Sequence, residues 1–115
     1  QSWWTDTDHA LSLAPIKPKV YQMTLTVGKQ LKAGNSVNFK FFGQAGWGTE
    51  FKGKAADYYL TTTNPTFLVG DGTGGHDDGN IYLQDGLQLT DGETYVFTID
   101  CSKGMAPATL SVQKK

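Results

Sequence analysis

Hydrophobic and polar residues alternate along several short stretches of the chain. Between Tyr21 and Val27, apolar side chains occupy every second position, with Gln22, Thr24 and Thr26 between them. A period of two is typical of a β-strand that buries one face. The same alternation recurs in residues 37–41 and 94–101. The pattern therefore predicts three half-buried strands.

Weaker signals of the same kind predict four further strands, at residues 58–60, 66–69, 81–83 and 109–112. Turn-forming pairs separate these stretches, among them Asn64-Pro65, Asp85-Gly86 and Asp91-Gly92. The only helical pattern is a single turn near Asp8. About seven short strands joined by frequent turns predict an all-β fold, an antiparallel β-sandwich.

The length and composition of the chain favour one domain that works outside the cytosol. A chain of 115 residues fits a single domain, residues 1–115, and can bury a core of its own. Only 18% of the residues are charged, and Thr, Ser, Asn, Gln and Gly supply most of the polarity. This mixture is typical of a β-rich extracellular domain. We expect the domain to be one part of a larger multidomain protein.

Charge and hydropathy exclude two classes of partner. The formal net charge is -1, and all 10 basic residues are lysine. Without arginine there is no bidentate contact to phosphate, so nucleic-acid binding is disfavoured. No stretch is long and apolar enough to cross a membrane, so we expect no membrane insertion by this domain.

The sequence gives little support to catalysis, a metal or a cofactor. Cys101 is the single cysteine; it continues an alternating apolar run, which predicts a small buried residue rather than a nucleophile. His9 and His76 have no cysteine partner for a zinc site. Nucleophile-elbow, phosphate-loop and dinucleotide motifs are missing, and no carboxylate pair has a recognisable acid–base context. We therefore expect no enzyme, no cofactor and no metal.

Large aromatic residues in polar segments are the first candidates for ligand binding. Trp3 and Trp4 precede the first clear strand, and Trp47 lies in a Gly-rich turn beside Gln44. A flat indole can stack on the C–H face of a sugar while polar neighbours bind the hydroxyl groups. One of Trp3 and Trp4 is expected to close the core; the other is either exposed for ligand or part of the structure as well. Lys40 points away from the core, either as a solvated charge or as a donor to sugar hydroxyls.

Residues 70–80 form the one segment that resembles a long functional loop. Its carboxylates and the Asn80 amide can bind hydroxyl groups or calcium. The spacing matches neither an EF-hand nor a repeated calcium-binding nonapeptide. A turn rich in Gly and Asp is therefore favoured over a calcium site.

Several short motifs occur in an order that carries a family resemblance. Trp3-Trp4 precedes a strand that begins near Val20; Leu31-Lys32-Ala33-Gly34 leads into Val37-Asn38-Phe39-Lys40-Phe41; Trp47 follows; and Asp78-Gly79-Asn80-Ile81 precedes the strand from Gly92 to Asp100. Together they resemble the repeated C-terminal domains of SusE and SusF, starch-binding outer-membrane proteins of gut Bacteroidetes.

The resemblance implies an immunoglobulin-like β-sandwich that binds glycan without cleaving it, as a carbohydrate-binding module does. Carried over by position, Trp4 or Trp3 becomes the stacking platform, and Lys40 and Asn80 bind hydroxyl groups. The implied ligand is a polysaccharide, either a starch-like α-glucan or a plant cell-wall glycan such as xylan. The implied location is extracellular or at the outer-membrane surface of a Gram-negative gut bacterium, with the domain tethered to others of a glycan-degrading or glycan-binding protein. The alternative is a structural spacer without glycan binding, stabilised or not by calcium.

Overall fold

The computed structural model describes residues 14–17, 19–29, 31–39, 41, 51–54, 58–104 and 106–115. These residues form seven strands: β1 (Ala14–Lys17), β2 (Val20–Thr26), β3 (Leu60–Thr62), β4 (Phe67–Val69), β5 (Ile81–Leu83), β6 (Thr94–Asp100) and β7 (Ala108–Lys114). They belong to two sheets that pack together, so the predicted all-β sandwich is confirmed.

The larger sheet has five strands in the order β1-β2-β6-β7-β3. Strands β2 and β6 pair antiparallel along their whole length, from Val20 opposite Asp100 to Thr26 opposite Thr94. Strand β7 pairs antiparallel with β6 but parallel with β3. The pair β3 and β7, at one edge of the sheet, is thus the parallel exception in an otherwise antiparallel sheet. Parallel pairing is possible there because the long chain between β3 and β7 can return to the same end of the sheet.

The smaller sheet is the antiparallel pair β4 and β5, joined by the loop of residues 70–80. Its register places Phe67 opposite Leu83 and Val69 opposite Ile81. On its other side, Phe39 forms an isolated antiparallel bridge with Ile81. Phe39 therefore lies beside β5 at the edge of this sheet.

Aromatic side chains fill the space between the two sheets. Phe67 of β4 and Phe97 of β6 are both 0% exposed, and their ring centroids lie 5.0 Å apart in an edge-to-face arrangement. Phe39 also meets Phe97 edge to face, at 5.7 Å. Such pairs contribute about 0.5–1.5 kcal/mol each beyond the burial of their area. This cluster fixes how the sheets face each other.

The period-two pattern predicts the location of most strands. The segments predicted near Leu60, Phe67, Ile81 and Leu110 all coincide with strands, as do the two long ones. In residues 37–41, Val37, Phe39 and Phe41 are buried and Asn38 is exposed, although the described part of this segment makes a bridge and no named strand.

Strand β1 was not predicted because it is short and contains Pro15. It lies at one edge of the larger sheet, where the register to β2 shifts between Pro15 and Lys17. Proline is tolerated at such an edge because no neighbour needs its missing N–H. The single helical turn predicted near Asp8 lies outside the described residues. Within the described part of the chain, no helix is long and apolar enough to cross a membrane.

Candidate functional site

An open cleft of about 330 Å³ lies beside β5. Three pieces of chain form it: the segment before Phe39, the loop of residues 70–80, and β5 with the turn that follows. The lining residues are Asn35, Ser36, Val37, Asn38, Gly75, His76, Asn80, Tyr82, Leu83 and Asp85. The volume is at the lower end of the range for small-molecule sites.

Backbone hydrogen bonds hold the first wall, residues 35–38, at both ends. Gly34 and Leu89 exchange reciprocal N–H···O=C bonds of 2.9 and 2.8 Å, and the Ile81 N–H donates to the Phe39 carbonyl at 2.6 Å. Because Val37 and Phe39 point into the core, Asn38 between them points outward. The alternation of apolar and polar residues thus places the polar Asn38 side chain on the side of the cleft.

The second wall is the loop of residues 70–80. Tight backbone contacts close its base, here called the neck, where Gly70 meets Gly79 and Asn80. The Gly70 N–H donates to the Asn80 carbonyl and the Gly79 N–H to the Gly70 carbonyl, each at 2.8 Å. Gly79 has φ +87, and a Cβ there would overlap the Phe51 carbonyl. The Asp78 carboxylate accepts a hydrogen bond of 2.6 Å from the Gly53 N–H. The neck therefore requires glycine at position 79.

The tip of the loop is a tight turn from Thr73 to His76, closed by a hydrogen bond of 3.2 Å from the His76 N–H to the Thr73 carbonyl. Its two central residues, Gly74 and Gly75, have φ values of 65° and 83°, which suits a turn of the mirror-image type. The Asp71 carboxylate accepts from the Thr73 hydroxyl at 2.6 Å and from the Thr73 N–H at 3.0 Å. These two bonds lower the pKa of Asp71.

The turn brings the His76 imidazole onto the Tyr82 ring. The ring centroids lie 3.6 Å apart and the planes differ by 9°, so the rings are stacked. Ile81 and Leu83 on either side of Tyr82 are buried, so Tyr82 projects from the opposite face of β5 and is half-buried. The stacked rings form the aromatic part of the cleft.

The Asn80 side chain is the most unusual polar group of the cleft. It is 9% exposed and is the one buried polar side chain among the described residues. The backbone of Asn80 is hydrogen-bonded to Asp77 and Gly70. Within the described part of the chain, however, its amide group has no hydrogen-bond partner. A buried polar group without a partner costs about 1–3 kcal/mol.

The comparisons with known proteins identify a family. The sequence profile of a domain of unknown function, DUF5121, matches residues 2–102. The chain belongs to the DUF5121 family. No curated protein and no solved structure matches the chain.

In this DUF5121 domain, the cleft combines acceptors and donors with an aromatic surface. Asn35, Asn38 and Asn80 carry amides, Ser36 a hydroxyl, and Asp85 a carboxylate. An amide offers both a donor and an acceptor, whereas an ionised carboxylate only accepts. In the described part of the chain, no group of three or more His, Cys, Asp and Glu side chains could hold a metal ion. The arrangement is suited to a ligand rich in hydroxyl groups.

The structure places one of the sequence-predicted site residues of the DUF5121 domain in this cleft, namely Asn80. The other five candidates lie outside the described residues: Trp3, Trp4, Lys40, Gln44 and Trp47. The cleft adds Tyr82, which the sequence analysis did not single out, whereas His76 belongs to the loop of residues 70–80 that it did. The sequence pattern could have identified Tyr82, because it is an aromatic residue that points outward between two inward residues of β5. The proximity of His76 to it depends on the fold of the loop.

Proposed function

We propose that this domain binds a polysaccharide without cleaving it, and that the cleft beside β5 is a binding site. The observation that carries the proposal is the Asn80 amide, which is buried in the cleft with no hydrogen-bond partner among the described residues. A sugar that presents two neighbouring hydroxyl groups gives such an amide both the donor and the acceptor that it needs. Ligand binding thereby offsets the cost of burying the amide.

The aromatic pair supports the same ligand class. A sugar ring has an apolar C–H face, and the exposed part of the stacked Tyr82 and His76 rings offers it a flat surface. Ser36, Asn38 and Asp85 then lie within the same cleft as further hydroxyl partners. A ligand with one apolar face and many hydroxyl groups matches this combination.

Binding is expected to be weak and reversible. The cleft is open, and one amide and one aromatic pair carry most of the recognition, so we expect a Kd of roughly micromolar to millimolar. Several copies, or a tether to other glycan-binding or glycan-degrading domains, raise the effective affinity. Such tethering and a location at the cell surface belong to the proposal, and the resemblance to SusE and SusF domains is their support.

Affinity electrophoresis tests the proposal. The domain runs in native gels that contain starch, xylan, mixed-linkage glucan or galactomannan, beside a protein that does not bind glycan. We expect retardation in at least one gel and its loss in Asn80→Leu, which keeps the side-chain shape but removes the amide. Tyr82→Ala should reduce the retardation. Gln113→Ala, on the exposed surface of β7, is the matched control and should migrate as the parent protein does.

The tryptophan candidates are tested in the same gels. Loss of retardation in Trp3→Ala, Trp4→Ala or Trp47→Ala, with the fold intact, adds an indole to the site. If those variants lose binding and Asn80→Leu does not, the binding site is elsewhere and the cleft assignment is wrong. If no gel retards the parent protein, the domain is better explained as a structural spacer.

A further inference from the structure

The rim of the cleft carries a negative charge. Asp85 lines the cleft and is exposed. It lies in a turn closed by a hydrogen bond of 3.2 Å from the Leu87 N–H to the Gln84 carbonyl. The turn fixes the backbone of Asp85 directly after β5, two residues beyond Leu83 of that strand. Asp85 and the buried Asn80 therefore line the same cleft, and the backbone of Asp85 has a defined position at its rim.

The chemistry of these two groups limits which sugars fit. An ionised carboxylate accepts hydrogen bonds from two hydroxyl groups at once, and the amide both donates and accepts. Hydroxyl groups satisfy both side chains. A carboxylate of the ligand, as in a uronic acid, offers Asp85 no donor and repels it through its charge.

Resting on the glycan-binding function proposed above, we propose that the cleft takes an uncharged sugar unit and that Asp85 is the residue that excludes uronic acids. The selectivity depends on charge, so it weakens as salt screens the interaction. Two unit charges about 4 Å apart in water repel by about 1 kcal/mol, which corresponds to an affinity difference of about fivefold.

The test compares a neutral glycan with its charged counterpart. Two probes are compared: the polysaccharide that retards the domain, and the same polysaccharide oxidised at C6, where primary hydroxyl groups become carboxylates. If the retarding glycan is xylan, the two probes are linear xylan and glucuronoxylan. Affinities are measured at low and at high salt. For the parent protein we expect binding to the neutral form to be about fivefold tighter at low ionic strength, about 0.01 M. The difference should shrink at about 1 M salt.

Variants of Asp85 test whether this residue causes the preference for the neutral glycan. Asp85→Asn keeps one acceptor oxygen and removes the charge, so it should bind the oxidised form about fivefold better than the parent protein does. Asp85→Lys should prefer the oxidised form. Asp91→Asn removes one negative charge from an exposed residue that does not line the cleft, and it should keep the parent selectivity.

The outcomes separate this inference from the proposed function. If the parent protein binds both forms equally, or if Asp85→Asn discriminates as the parent does, Asp85 does not set the selectivity, although glycan binding still stands. If no neutral or oxidised glycan binds, the proposed function fails and this inference fails with it.

Discussion

At the scale of single residues, two asparagines have contrasting surroundings. The Asn64 carboxamide accepts hydrogen bonds from the Thr66 and Phe67 N–H groups at 2.9 and 2.7 Å and donates to the Val112 carbonyl at 3.2 Å. It thus connects the start of β4 to β7. The Asn80 carboxamide is more buried in its cleft and makes no such bond to a described residue. One amide stabilises the fold, and the other is the one that we propose binds a ligand.

This contrast predicts opposite effects on stability. Asn64→Ala should lower the free energy of unfolding by about 1–3 kcal/mol, because two backbone N–H groups and one carbonyl lose their partner. Asn80→Leu should leave it unchanged or raise it, since an apolar group of similar shape replaces an amide without a partner. Urea denaturation of the ligand-free proteins measures both. A loss in Asn80→Leu as large as that in Asn64→Ala would contradict the assignment.

At the scale of elements, the loop of residues 70–80 forms one wall of the cleft as well as connecting β4 and β5. At its neck, the hydrogen bond between Gly70 and Asn80 extends the backbone pairing of β4 and β5. At its tip, the turn places the His76 ring against the Tyr82 ring. The close approach of Gly79 to the Phe51 carbonyl connects this neck to the neighbouring chain. Any change that opens the neck should therefore displace the wall of the cleft.

Gly79→Ala tests this dependence. The new methyl group would overlap the Phe51 carbonyl at a backbone with φ +87, so we expect a loss of about 2 kcal/mol or more. Gly92→Ala is the matched control, because Gly92 has a similar φ of +92 but nothing within 4 Å of a Cβ. Gly92→Ala should lower the free energy of unfolding by less than Gly79→Ala does, because it has the unfavourable φ but no overlap. Equal losses in thermal and urea denaturation of the two variants would show that the close contact is unimportant.

A pH dependence is expected where a turn meets β7. Glu93 accepts from Lys114 at 2.6 Å and from the Thr90 N–H at 2.7 Å. These bonds, that to Lys114 first, hold the pKa of Glu93 below its ordinary value of 4.5. A carboxyl with a depressed pKa in the folded state stabilises the fold above its unfolded pKa, and the stabilisation is lost as pH falls through the folded value.

The measurement is urea denaturation of the parent protein and Glu93→Gln between neutral and acidic pH. At neutral pH the variant should be slightly less stable, because its side chain has no charge to pair with Lys114. The difference between the two proteins should shrink as pH falls below about 4.5. A difference that is constant with pH would mean that this carboxyl does not titrate differently in the folded state.

At the scale of the whole molecule, the aromatic cluster between the sheets determines where the cleft can lie. Phe97 of the larger sheet contacts Phe39, Phe41 and Phe67 edge to face or tilted. Phe39 is also the residue that bridges to Ile81 of β5. The cluster therefore aligns the segment that carries Asn38 with the strand that carries Tyr82.

Phe97→Ala should destabilise the domain by about 3–5 kcal/mol, because it leaves a cavity in a core where Phe97 is 0% exposed. Val96→Ala, one residue earlier and on the other face of β6, is the control and should cost much less. Guanidinium denaturation gives both values. A small loss for Phe97→Ala would indicate that the neighbouring rings collapse into the space.

The sequence by itself determined six of the seven strands and which of their residues face inward, because a period of two depends only on local alternation. Residues 21–27, 81–83 and 94–101 show this, and the same logic places Asn38 and Tyr82 outward. It also identified Asn80 as a ligand candidate through a resemblance. Residues far apart in the chain were paired only by the tertiary structure: β3 parallel to β7, Phe39 with Ile81, His76 with Tyr82. These contacts depend on the path of loops and the packing of the core, and no local pattern encodes either.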